Sequence, residues 1–159
     1  MRRSRAGTSF KQAVLGIPEL AHALRDGLKA LAKNDRQRIS CNDSRAIIGS
    51  INLEESLHFR HPNEPLWDYG IGLRVINSAD NVKWIEVHPA SSTHVDELLK
   101  KLHWLRNWLQ NSAPKLDALP CEFVWIASGK VHLQKGSPQM KKLYQAGMRF
   151  AGERFALDV

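Results

Sequence analysis

The chain has 159 residues, 43% hydrophobic and 25% charged, a balance that suits one folded domain and excludes a disordered or fibrous chain. Its 23 Lys and Arg against 16 Asp and Glu leave a formal net charge of +7, which favours an anionic partner, nucleic acid first. No apolar run approaches the roughly 20 residues that span a bilayer. Cys41 and Cys121 form no CxxC or Cys/His zinc pattern, so a cytoplasmic protein with reduced thiols and no membrane association is expected.

Residues 1–8 read as a flexible basic arm and residues 9–159 as a single α/β domain. Ser9-Phe10-Lys11-Gln12 has the spacing of a capping box, which predicts a helical turn that Gly16 and Pro18 interrupt. From Pro18, Leu20, Leu24, Leu28 and Leu31 recur at three- and four-residue steps and predict a helix packed on a sheet. Arg25, Lys29, Lys33 and Arg36 would form a basic ridge on it, a solvated face or a phosphate contact. Ile39–Cys41 is expected as a short strand and Ala46–Leu53 as a longer one, with Gly49 marking a bulge or a close backbone approach. Glu54 and Glu55 follow, and the segment from His58 to Pro65 is expected as a loop because of its two prolines. His58 and His61 have the spacing of two ligands on one helical face, but those prolines work against the helix.

The chain is organised around Trp67–Ile76 and Val82–Ala90, two arms rich in β-branched and aromatic residues joined by Asn77-Ser78-Ala79-Asp80-Asn81. This predicts a β-hairpin. Thr93-His94-Val95-Asp96 then has capping-box character and opens a helix ending near Asn111, with Val95, Leu98, Leu99, Leu102, Leu105 and Leu109 on one face. Asp96 with Lys100 and Glu97 with Lys101 read as solvated pairs four apart. Arg106 falls inside the apolar stripe, where it must snorkel or pair with an acid. Trp104 and Trp108, four apart, either pack on the shoulder of the helix or form a surface for self-association or a protein partner. After a connection at Pro114–Pro120, Glu122–Ala127 reads as a buried strand, and Val131–Leu133 as the next interior one. Ser137-Pro138 starts a helix that ends near Gly147, and Phe155–Leu157 is expected at a sheet edge. The fold class is therefore α/β, a mixed central sheet of about four to five strands flanked by helices.

Antiparallel pairing brings the start of one hairpin arm beside the end of the other, so Asp68 meets Glu86 and His88. Glu86 and His88 are two apart on a strand and share a face. An acid beside Glu-x-His suits a hard divalent cation held through carboxylate oxygens. The bland alternatives are a turn cap at Asp68, a Glu86–Arg106 ion pair, and a strand-closing hydrogen bond at His88.

This order of elements resembles the restriction-endonuclease-like superfamily, whose active site is written PD-(D/E)XK, with an acid on one strand, E-x-K on the next, then a helix and another core strand. The resemblance covers roughly residues 44–128, with the helix expected before it also in the family's place. It implies that Asp68 and Glu86 bind Mg²⁺ or Mn²⁺, and that Glu54 or Glu55 supplies an additional upstream acid. Trp67 stands where the motif has proline, and His88 where it has lysine. An imidazole does not reproduce a fixed positive charge beside a scissile phosphate, so His88 would act as base or metal ligand, with Arg106 or Lys83 restoring the charge.

Two functions follow from the resemblance: divalent-metal-dependent hydrolysis of DNA or RNA phosphodiesters using Asp68, Glu86 and His88, or a catalytically inactive nuclease-fold module for nucleic-acid binding or protein assembly. The Trp104 and Trp108 surface adds a third, an accessory protein that binds another protein. Gly-rich phosphate loops, GxSxG elbows and dinucleotide fingerprints are absent from the sequence.

Overall fold

The computed structural model describes residues 9–158; the basic arm expected at residues 1–8 lies outside them. The elements are α1 (Phe10–Leu15), α2 (Lys33–Arg36), β1 (Ile39–Cys41), β2 (Ile47–Asn52), α3 (Leu53–Leu57), β3 (Tyr69–Leu73), β4 (Asn81–His88), α4 (Val95–Ser112), α5 (Pro114–Asp117), β5 (Cys121–Ala127), α6 (Pro138–Gln145), β6 (Met148–Gly152) and β7 (Phe155–Leu157). A five-stranded mixed sheet has the order β2-β3-β4-β5-β6. Its β2/β3 and β3/β4 pairs are antiparallel and its β4/β5 and β5/β6 pairs parallel. β1 and β7 form a separate two-stranded parallel sheet. Among the described residues no helix is long and apolar enough to cross a membrane.

The sheet is buried on both faces, which is why its central strands carry apolar residues at nearly every position. One core holds Phe10, Val82, Trp84, Leu98, Leu102 and Trp125, joining α1 and α4 to the sheet. The other holds Ile71, Ile85, Val124, Ile126, Phe155 and Leu157. Period-two alternation along β4 sends Val82, Trp84 and, by the same parity, Glu86 and His88 toward the α4 side. α1 sits close to β3: a Cβ on Gly72 would clash with the ring of the fully buried Phe10.

Ser9 caps α1 as expected, accepting a hydrogen bond from Gln12 N, and Gly49 satisfies both expectations at once. The β2/β3 register shifts between Ile47 and Gly49, and a Cβ at Gly49 would lie 2.8 Å from the Arg25 carbonyl oxygen. Ser137 caps α6 through Met140 N, and Gly147 follows it at φ 90°, the left-handed conformation that favours glycine.

Three expectations are corrected. The helix expected from Pro18 is a run of turns, in which Arg25 exchanges two 2.9 Å backbone hydrogen bonds with Ser50 of β2. The segment wraps the β2 edge, with Leu20 in one core and Leu31 in the other, a path one straight helix cannot follow. Val131–Leu133 forms no strand; only a single bridge joins His132 to Ser91, and the strand beside β5 is instead β6, which no local sequence pattern marks. Thr93 does not cap α4, since a short 3₁₀ turn at Ser92–His94 precedes the helix and the Thr93 hydroxyl meets Ser91 instead. Of the two expectations for Arg106, it makes no ion pair with an acid among the described residues; it stays partly exposed, with its guanidinium 5.0 Å from the centre of the Phe123 ring.

Candidate functional site

The β3/β4 register pairs Tyr69 with Ile85 and Gly70 with Trp84, so one step further it sets Asp68 opposite Glu86. The acids take over the backbone bonding at this point. Asp68 N donates to Glu86 Oε1 at 3.2 Å, and Val87 N donates to Asp68 Oδ2 at 2.9 Å. Each carboxylate thus accepts from the opposing strand, which locks the pair in register.

α4 supplies the positive charge. Lys101 Nζ donates to Glu86 Oε2 at 2.6 Å, a short charge-assisted bond to a carboxylate with no solvent exposure. The crossover from β4 through α4 to the parallel strand β5 brings the first half of α4 to the carboxyl end of β4, where α/β sheets place their ligands. At ~100° per residue His94, Glu97 and Lys101 form one row along the border of the stripe that carries Leu98, Leu102 and Leu105. That row was the sequence signal for Lys101, hidden because Glu97 and Lys101 also satisfy the rule for a solvated pair.

Burial pushes the Asp68 carboxyl up to about 8, and the adjacent Glu86 and the Glu54 charge add to this against Lys101 and the Val87 N–H. For Lys101, burial works against the ammonium, but Glu86, Asp68 and Glu54 outweigh it and raise its pKa. Glu54 therefore acts on the site through its charge from the first turn of α3. Glu55 does not: it belongs to the α3 cap, where its N–H donates to Asn52 Oδ1 and its carboxylate accepts from Asn52 Nδ2.

His88 bridges outward from this centre. Its Nδ1 lies 3.3 Å from Glu86 Oε2, while its Nε2 lies 3.2 Å from His94 Nδ1 and 3.4 Å from Glu97 Oε2. Its carbonyl accepts from Trp125 Nε1 and Ser128 N, which anchors the end of β4 on β5.

The structure thus brings together Asp68, Glu86 and His88, with Glu54 nearby, and adds Lys101, His94 and Glu97. Arg106 stays with Phe123, and Lys83 faces the opposite side of β4, where it pairs with Glu122 at 3.3 Å. His58 and His61 do not converge; His61 pairs with Glu19 and sits edge-on to Trp104. Trp104 stacks on the buried Trp108 with ring centroids 6.3 Å apart.

Asp68 and Glu86 are oxygen donors of the type a hard divalent cation takes, but both Glu86 oxygens already accept, from Asp68 N and Lys101 Nζ. Burial and the adjacent Glu86 favour the protonated form of Asp68, and Lys101 balances the Glu86 carboxylate. No family model, curated protein or solved structure matches the chain.

Proposed function

We propose that the chain is a divalent-metal-dependent phosphodiesterase of the restriction-endonuclease-like kind, acting on DNA or RNA. The observation that carries this is Lys101, whose ammonium joins the Asp68–Glu86 pair from the helix after β4 and so supplies the charge that His88 lacks. The order of an acid just before β3, an acid near the end of β4, then α4 and β5 supports the same reading.

Asp68 and Glu86 would hold Mg²⁺ or Mn²⁺, with Glu54 adding negative charge. When bound, that ion would polarise a phosphate oxygen and acidify a water. Lys101 balances the buried Glu86 carboxylate in the resting protein and offers a cation to the charge that develops on the phosphate. His88 braces Glu86 from its other side. The net charge of +7 favours the approach of a polyanion.

Incubation of single- and double-stranded DNA and RNA with Mg²⁺ or Mn²⁺ tests the proposal. Wild type cleaves in a metal-dependent way, while Asp68→Asn and Lys101→Met lose at least about 10²-fold in rate. Equal cleavage by all three proteins, or none by wild type, refutes it.

One observation favours a second reading, an inactive nucleic-acid-binding module: Glu86 is fully buried and both its oxygens are already engaged. On that reading, nucleic acid binds with an affinity that falls steeply with salt and survives Glu86→Gln, without any cleavage.

A further inference from the structure

Beside the acid pair, three ligand atoms from two elements and the turn between them converge. His88 Nε2 comes from the end of β4, His94 Nδ1 from the turn before α4, and Glu97 Oε2 from the first turn of α4. Their separations are 3.2 Å between the histidines, 3.4 Å from His88 to Glu97 and 3.3 Å from His94 to Glu97. We infer that His88, His94 and Glu97 form a binding site for a borderline transition-metal ion of the Zn²⁺ class, separate from the Asp68–Glu86 pair.

The near-equilateral triangle matches a tetrahedral ion. A tetrahedral Zn²⁺ with bonds of roughly 2.0–2.1 Å has ligand–ligand edges of about 3.3 Å, whereas an octahedral ion with similar bonds needs edges of about 3.0 Å. The imidazole donors also favour zinc over Mg²⁺, which takes oxygen ligands.

The protonation pattern fits as well. A carboxylate only accepts, so the contact of His88 Nδ1 with Glu86 favours the proton on Nδ1 and leaves the Nε2 lone pair facing His94 and Glu97. A ligating histidine backed by a buried carboxylate is the arrangement that fixes the tautomer and raises ligand basicity at metal sites. Glu86 has no solvent exposure and is itself held by Lys101, so this support is rigid.

The site is open. Side-chain exposure rises from 15% at His88 to 34% at His94 and 52% at Glu97, so the fourth position faces solvent. Three protein ligands with a free position suit a water molecule or an anionic oxygen, such as that of a phosphate.

This inference stands whether or not the protein hydrolyses phosphodiesters, because its readout is binding. Calorimetric titration of the full chain with Zn²⁺, and the visible spectrum of the Co²⁺ form, test it. Wild type binds one Zn²⁺ and gives the intense absorption of tetrahedral Co²⁺. His94→Ala and Glu97→Gln, both outside the buried core, weaken Zn²⁺ at least about 10-fold and abolish that spectrum. Glu86→Gln weakens it about 10- to 100-fold, provided circular dichroism shows the variant folded. His103→Ala, at an exposed histidine on the same helix, leaves binding unchanged. Affinity unaffected by His94→Ala and Glu97→Gln, an octahedral Co²⁺ spectrum, or equal loss in His103→Ala overturns the assignment.

Discussion

Replacing Asp68 by Asn tests the electrostatics of the acid pair without removing its hydrogen bond, since the amide oxygen still accepts from Val87 N. In the folded protein the Asp68 carboxyl titrates at about 8, raised first by burial and then by Glu86; in the unfolded chain it titrates near its ordinary 3.8. Between these values the folded state holds one proton that the unfolded state has released, so stability falls as pH rises through this window. Asp68 thus favours folding fully below about pH 4, and that contribution is gone above about pH 8. Each tenfold change in proton affinity corresponds to about 1.4 kcal/mol, and over this window the loss in wild type amounts to a few kcal/mol. The amide of Asp68→Asn cannot ionise and escapes it. Urea unfolding of both proteins from pH 5 to 9 measures the difference: the variant gains on wild type as pH rises to about 8 and keeps that gain at pH 9. Parallel stability curves would refute the reasoning. Under the proposed function, Mg²⁺ at pH 7 stabilises wild type with release of about one proton, and leaves the variant unmoved.

Lys101→Met leaves the buried Glu86 carboxylate without its counter-charge and costs about 3–5 kcal/mol in chemical denaturation. Adding Glu86→Gln to it restores a large part, because the stranded charge is then gone; a double variant as unstable as the sum of the two single ones contradicts this. Gly72→Ala drives a methyl into the Phe10 ring and lowers stability by about 1–3 kcal/mol, read as a shift of the urea midpoint. Gly72→Ala with Phe10→Leu recovers part of that loss by opening space.

The hairpin and its acids were legible in the residues. Alternation put Glu86 and His88 on one face, antiparallel pairing carried Asp68 to them, and the register confirms that juxtaposition. The helix of Val95 to Ser112 and the strand Cys121–Ala127 were equally plain, because a long periodic stripe and a continuous apolar run are local signals. Gly49 announced a close approach, although only the fold identifies the Arg25 carbonyl as the neighbour.

Elsewhere local pattern and tertiary demand diverged. The leucines from Leu20 to Leu31 keep helical spacing, yet they serve two cores on opposite faces of the sheet, and Gly27 at φ 52° turns the chain between them. β6 begins directly after the Gly147 turn and carries Arg149 among its residues, so it lacks the apolar run that marks β5. Lys101 and Glu97 obey the spacing of a solvated pair, but Lys101 belongs to Glu86 and Glu97 to the histidines. Spacing along a helix sets which side chains share a row. Which strand that row faces depends on how the crossover lays α4 over the sheet, and this long-range placement turns an acid hairpin into a charged centre with a histidine cluster beside it.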